Sequence, residues 1–413
     1  MRTIEAARTS DRPRAVHVTT AAMTVRLMLG QLAHLREAGF EVIVLASPGQ
    51  DLERVAERDG VQWVAVPMAR EIAGLADLVS LWRLCRLMRR LRPTITNVST
   101  PKAGLLGGLA AWLSGVPCRV YTLRGLRCET VRGPKRKALV FTERIACGCA
   151  HQVFCVSESV RQKAVALGLV DMDRTVVLGS GSSNGVDAAR FAPTAELLRV
   201  TSHLRGDLGI PLETPVMGYV GRFTRDKGIP QLLEAYSQLR VSFPKLRLLL
   251  VGEFEKGDSL SPEVRERILR DPYIISCGFV PDTAPYYHLM NVLALPSHRE
   301  GFPNAVLEAQ AAGKAVVASR ATGTVDAIID GVTGILVPPG DAKALATALK
   351  RLLQNRDIAE AMGRTGRARV LREFRQELIW AALAREYTRL LREKSLPVPS
   401  APAVASFLSR GSS

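Results

Sequence analysis

The chain has 413 residues, of which 47% are hydrophobic and 23% charged, enough for two globular domains with cores of their own. Its net charge of +17 favours an anionic partner: a phosphorylated ligand, an acidic membrane surface or nucleic acid. Aromatic residues make up only 5% and no nucleic-acid-binding motif occurs, which argues for no nucleic acid.

Short runs rich in β-branched residues alternate with amphipathic helical patterns. The first half predicts strands near 14–20, 40–46, 61–66, 94–98, 117–122, 151–156 and 174–178. Helices are predicted between most of them, including 24–38, 74–91 and 157–168. The stretch "LGSGSSNGVDAARFAP" (178–193) then reads as a linker. Its Gly179-x-Gly181 start lacks a dinucleotide fingerprint, because the third glycine, Gly185, comes one residue late. The second half predicts strands at 215–220, 246–251, 273–279, 291–296, 315–319 and 335–337. Helices follow at 341–353, capped by Asp341, at 357–372 and at 376–394.

Strand and helix alternating at this spacing give βαβ units and parallel sheets. The predicted fold is therefore α/β, with two doubly wound Rossmann-like domains and C-terminal helices. The first domain is expected over 1–190 and the second over 191–375. Helix 376–395 is expected to pack back on the first domain, and 396–413 to be a disordered tail. The apolar stretch 103–118 is broken by glycines and is too short to span a bilayer. No signal peptide is visible in "MRTIEAARTSDRPR", and the seven cysteines read as free thiols in a reducing cytoplasm.

The chemistry concentrates in "HREGFPNAVLEAQAAGKAVVAS" (298–319). A helix is predicted to start at Pro303, where no N–H is needed, and to end at Gly313. Its first turn would offer the N–H groups of Asn304, Ala305 and Val306 to a phosphate. Glu308 lies one turn further on the same face, where its carboxylate can accept two hydrogen bonds from a vicinal diol. Glu300, ahead of the helix, can reach hydroxyls beyond a diphosphate. The stretch "GYVGRFTRDKGIPQLLEAY" (218–236) supplies the cations, Arg222 and Lys227. Two glutamates also suit a glycosidase, but a phosphate cradle between them fits that chemistry poorly. Asp171-Met-Asp173 reads as a loop rather than a metal site.

These residues carry a resemblance. Gly221-Arg222…Lys227-Gly228, then Glu300-Gly-Phe-Pro-Asn-x-x-x-Glu308-Ala, then "GVTGILVPPGD" (331–341), resembles the retaining glycosyltransferases of family four, with the GT-B fold. The likeness is dense over 214–372 and looser in the first half. It points to members that build capsular, O-antigen or exopolysaccharide units on a lipid carrier. The resemblance implies two domains facing across a cleft, a UDP- or GDP-sugar donor, no metal or other cofactor, and a polyprenyl-diphosphate-linked glycan acceptor. It also implies roles. Glu308 would hold the donor ribose and Glu300 the hexose hydroxyls. Arg222 and Lys227 would neutralise the leaving diphosphate. Gly301, Phe302, Pro303, Asn304 and Ala305 would line the sugar pocket, and Lys102 and Arg124 would bind substrate from the first domain. The chain departs from many relatives at Asn97, Ser99 and Arg124, where histidines are common. Arg124 can meet a phosphate instead. A sugar-nucleotide epimerase of the same fold is the alternative enzyme.

A second expectation concerns "LWRLCRLMRRLRP" (81–93). Leu81, Leu84, Cys85 and Met88 fall on one helical face, with Arg83, Arg86, Arg89, Arg90 and Arg92 elsewhere. With the basic cluster "RGPKRK" (132–137), this helix can lie on an anionic membrane. The protein is thus expected on the inner face of the plasma membrane, peripheral and cytoplasmic. The alternatives are a solvated helix face, or a membrane-peripheral protein that only binds sugar nucleotides.

Overall fold

Strands such as "EVIVLA" and "RLLLV" carry no polar alternation, which suits parallel strands covered by helices on both faces. The computed structural model describes residues 12–69, 73–255, 257 and 259–399. It divides the chain into two units: Met1–Asn184 with Gln376–Ser413, and Gly185–Arg375.

The first unit holds a seven-stranded parallel sheet. Its strands are β1 (Arg14–Val18), β2 (Glu41–Ala46), β3 (Gln62–Ala65), β4 (Ile95–Ser99), β5 (Cys118–Leu123), β6 (Gln152–Cys155) and β7 (Thr175–Val177). Their spatial order is β3-β2-β1-β4-β5-β6-β7, so the winding reverses between β1 and β4. The second unit holds β8 (Val216–Val220), β9 (Arg247–Val251), β10 (Ile274–Ser276), β11 (Val292–Leu295), β12 (Ala315–Ser319) and β13 (Ile335–Val337). Their order is β10-β9-β8-β11-β12-β13, with the reversal between β8 and β11. Each predicted strand is present. In doubly wound sheets, ligands bind outside the carboxyl ends of the strands at such reversals.

Helix Gln376–Glu393 belongs to the first unit and supplies its core. Tyr387 stacks on Phe154 at 6.3 Å and meets Phe40 edge-on at 5.8 Å. Leu383, Leu390 and Leu391 join the same cluster. Leu396 and Val398, at the start of the expected disordered tail, also pack against this core. Residues 400–413 lie outside the described residues.

One predicted helix differs. Residues 24–38 are split into a 3-10 turn, Ala22–Met28, and a helix, Gln31–Glu37. The break is Gly30, at φ 80°, where a Cβ would lie 2.5 Å from the Trp380 ring. Close packing of two distant segments therefore overrides a continuous helical pattern. Among the described residues, no helix is long and apolar enough to cross a membrane. All seven cysteines are free thiols.

Candidate functional site

The site in the second unit is assembled where its winding reverses. After β8 the chain turns at Gly221 and enters helix Ile229–Ser242 through Gly228, at φ 72°. A Cβ on Gly228 would come within 2.1 Å of the Pro296 carbonyl oxygen. Only glycine lets loop 221–228 press so closely on the loop that follows β11.

Several bonds hold the two loops together. The His298 N–H donates to the Asp226 carbonyl at 2.8 Å, and Arg299 pairs with the Asp226 carboxylate at 2.7 Å. Lys227 Nζ lies 2.5 Å from Glu300 Oε1. The Glu300 N–H donates to the Thr322 carbonyl at 3.1 Å, which ties in the loop after β12. Gly323 sits at φ 78°, with its Cβ direction blocked by the Gly301 carbonyl oxygen at 2.2 Å. Lys227 and Glu300 are thus held by three strand-end loops, with side-chain exposures of 19% and 10%. A salt bridge this sheltered is dissolved at a cost unless an anion replaces the carboxylate.

Arg222 is placed differently. Its guanidinium is half exposed and pairs with Glu255, a partner that sequence reasoning missed. No local pattern joins the two residues, which come from the ends of β8 and β9. The Arg222 carbonyl accepts from the buried Tyr219 hydroxyl at 2.8 Å, which fixes the turn beneath it.

The expected phosphate cradle is shorter than predicted. Helix Asn304–Ala311 takes Pro303 as its N-cap rather than as its first helical residue. The Val306 N–H turns back to the Pro303 carbonyl at 3.0 Å, so it is spent. Asn304 and Ala305, both half-buried, remain the donors at the helix start. Gly301 is half-buried, whereas Phe302 and Pro303 are buried. The Phe302 ring packs on Phe374 at 5.4 Å, so its side chain anchors the loop.

The Glu308 carboxylate turns inward. Its Oε2 accepts from the Tyr287 hydroxyl at 2.8 Å and from Thr283 Oγ1 at 3.4 Å. Burial raises its pKa, and the Tyr287 hydrogen bond opposes that rise. Both of these bonds fall on one oxygen, so a diol would have to be met largely by Oε1. Tyr287 and Thr283 precede Glu308 by more than 20 residues and carried no signal in the sequence.

In the first unit, Lys102 follows β4 at the winding reversal and pairs with Asp77 at 2.6 Å. Thr100, just ahead of it, has φ 84°, a strained value for a residue with a side chain. Its hydroxyl lies 2.7 Å from that of Thr20, in the loop after β1. Arg124 follows β5 and lines a small cleft with Gln31, Asn97, Thr122, Ser182 and Ser183. Asn97 is structural here: it donates to the Tyr387 hydroxyl at 2.8 Å and accepts from Thr122 at 2.8 Å. Tyr387 in turn lies 3.3 Å from His17 Nε2. Burial, and then the Arg124 charge, push the His17 pKa down to about 3, so this imidazole is neutral. Sequence reading passed over His17 because it sits inside a strand. Asp171 and Asp173 belong to the short turn before β7.

Comparison with known proteins covers both units. Residues 201–369 match the family described as Glycosyl transferases group 1, and residues 24–181 match the Glycosyl transferase 4-like domain. The chain is 35% identical over 377 residues to the capsular polysaccharide biosynthesis glycosyltransferase CapM of Staphylococcus aureus, covering 91% of this chain and 97% of the relative. It is 26% identical over 325 residues to the UDP-Gal:alpha-D-GlcNAc-diphosphoundecaprenol alpha-1,3-galactosyltransferase of Escherichia coli, covering 76% and 81%. Among solved structures, Anabaena HepE in complex with UDP and glucose has the same fold, with a TM-score of 0.76 at 20% identity over 90% of this chain and 98% of that one. With both units matched and a relative this similar along nearly its whole length, the chain belongs to the group 1 glycosyl transferases: it is a glycosyltransferase of the GT-B fold with a glycosyl transferase 4-like N-terminal domain.

Proposed function

We propose that the protein transfers a sugar from a UDP- or GDP-sugar to a polyprenyl-diphosphate-linked glycan, with retention at the anomeric carbon, in the synthesis of a capsule or related cell-surface polysaccharide. The observation that carries this reading is the Lys227–Glu300 pair at the winding reversal of the second sheet. A cation and a hydroxyl acceptor are presented side by side at the edge where such folds bind nucleotides.

The roles follow from the chemistry. Negative charge grows on the nucleoside diphosphate as the sugar leaves, and a fixed cation there lowers the barrier. Lys227 supplies that cation by exchanging its Glu300 partner for the diphosphate. Glu300, released, accepts hydroxyls of the transferred sugar. Arg222 adds charge from the half-exposed rim once Glu255 is displaced. Glu308 receives a ribose hydroxyl on Oε1. Gly301, Asn304 and Ala305 offer backbone groups to the sugar and phosphates. With two cations at the diphosphate, the mechanism assigns no step to a metal. The relatives support this reading. CapM is named for capsular polysaccharide biosynthesis, the Escherichia coli relative for a UDP-sugar and a diphosphoundecaprenol acceptor, and HepE was solved with UDP and glucose. The epimerase alternative is set aside by membership of the transferase family.

A second observation supports work at a cytoplasmic membrane face. Helices Gly74–Leu91, Pro101–Leu113 and Gly133–Cys149 lie side by side in the first unit. The apolar face expected to meet lipid is turned inward, with Leu84 and Met88 buried and Leu81 and Cys85 half-buried; the helices instead expose Leu75, Leu78, Val79, Trp82, Trp112 and Phe141. Arg83, Arg86, Arg89, Lys135, Arg136 and Lys137 are exposed on the same helices. Apolar side chains exposed among cations suit insertion beside anionic headgroups. Lys102 and Arg124 would then serve the acceptor from the first unit.

Titration of UDP and GDP tests the donor assignment. One of the two is expected to raise the melting temperature with added ligand, and the K227A variant to lose most of that rise. No stabilisation by either nucleotide would overturn it.

A further inference from the structure

Arg124 presents an unsolved balance of charge. Its Nε and Nη1 are buried and have no hydrogen-bond partner. No ion pair to it is found among the described residues. The groups that face it do not compensate. Tyr387 is a neutral phenol whose pKa burial raises strongly, and His17 is a neutral imidazole. Asn97 and Thr122 are uncharged and bonded to each other. A guanidinium stays protonated in proteins, so it cannot escape the cost by losing its proton. Buried charges without a partner are rare, because taking a cation out of water is costly.

The surroundings suit a ligand rather than a missing protein partner. Arg124 borders a small cleft of about 20 Å³. Ser182, Ser183 and Gln31 on its wall bring hydroxyl and amide groups. Ser182 is held at φ 83°, a strained value that the local fold maintains. A fixed guanidinium with unpaired N–H donors, ringed by neutral polar groups, can take an oxyanion such as phosphate through paired hydrogen bonds.

We infer that Arg124 and the cleft of the first unit form a phosphate-binding site. The inference rests on the proposed reading for its biological source, in which the phosphate belongs to a lipid-linked acceptor, and free phosphate is the other source. The site itself depends only on this unit.

The test is calorimetric titration of the full chain with inorganic phosphate, in saturating UDP so that the second unit is occupied. Wild type is expected to bind phosphate. R124M is expected to weaken that binding by about tenfold or more, with R124K intermediate. Without phosphate, R124M is expected to melt no lower than wild type, because it removes an unpaired buried cation. A purely structural arginine would give the opposite: a lower melting temperature and unchanged phosphate affinity. That outcome, or equal phosphate affinity in all three proteins, overturns the proposal. Geranyl diphosphate then separates the sources. Displacement of phosphate by it supports a lipid-linked acceptor, and failure to displace supports free phosphate as the ligand. UDP affinity is measured in parallel, so that failure of the donor reading is seen separately from failure of this site.

Discussion

Lys227 and Glu300 stand 2.5 Å apart although 73 residues separate them, because β8 and β11 are neighbours in the sheet and the loops that follow them are pressed together. The pair links binding to chemistry, since a nucleoside diphosphate and Glu300 compete for one ammonium. K227A is expected to reduce kcat by at least about tenfold, given that one lost transition-state donor costs about 2.7–4 kcal/mol. E300Q should also lower kcat. If the two act as a unit, the double variant will be little worse than the poorer single one. Strict additivity in steady-state kinetics would show that they work independently.

Gly323 should not tolerate a side chain. Its φ of 78° is strained for alanine, and the new Cβ would meet the Gly301 carbonyl oxygen at 2.2 Å. G323A is expected to lose about 1–3 kcal/mol of stability and to shift the loop carrying Glu300. Denaturant melts together with UDP titration would check this. A variant with normal stability and normal donor affinity would contradict the packing described.

Glu143 gives the first unit a pH-dependent term. It is buried in helix Gly133–Cys149 and accepts a hydrogen bond from the Tyr121 hydroxyl. Burial pushes its pKa up to about 7, against an ordinary value near 4.5. The fold therefore favours the protonated acid. Its contribution is fully present below about pH 4.5 and is lost as pH rises through about 7. E143Q, which cannot ionise, should gain on wild type as pH goes from 6 to 8.5, by about 1.4 kcal/mol. Urea melts across that range would show the difference growing with pH. A constant difference would mean that Glu143 stays in one protonation state.

The exposed helices of the first unit should bind lipid in two separable ways. Replacing Arg83, Arg86 and Arg89 with Gln should weaken sedimentation with anionic liposomes and reduce its salt sensitivity, since each cation near such a surface contributes about 1 kcal/mol. Replacing Trp82, Trp112 and Phe141 with Ser should weaken binding at high salt as well. Trp82 also lies under Arg86, whose guanidinium sits 5.6 Å from its ring. If neither set changes sedimentation, these residues form an ordinary solvated face.

Much of this was legible in the sequence, and for a physical reason. Strand and helix periods are local, so β8 and helix Ile229–Ser242 announce themselves in "GYVGRFTRDKGIPQLLEAY". Lys227, Glu300 and Glu308 could be singled out because each follows a strand end, and strand ends are where such sheets bind ligands. What depended on distant contacts was hidden. Nothing near Arg222 predicts Glu255, nothing near Glu308 predicts Tyr287, and nothing near Gly30 predicts the Trp380 ring that breaks the first helix. The N-cap at Pro303 was missed by one residue, which is enough to remove the Val306 N–H from the expected cradle.

The return of helix Gln376–Glu393 to the first unit sets an order of events at the ribosome. Residues 185–375 are contiguous, so the second unit has its whole sequence available before the chain is complete. The first unit begins synthesis earlier but lacks Leu383, Tyr387, Leu390 and Leu391 until the end. At about 5–20 residues per second, its apolar groove waits on the order of 10–40 seconds for its final helix. The unit that is started first is therefore finished last. A chain cut short at 375 would carry a complete second unit beside a first unit with an open core, which is a substrate for proteases and chaperones rather than a partial enzyme.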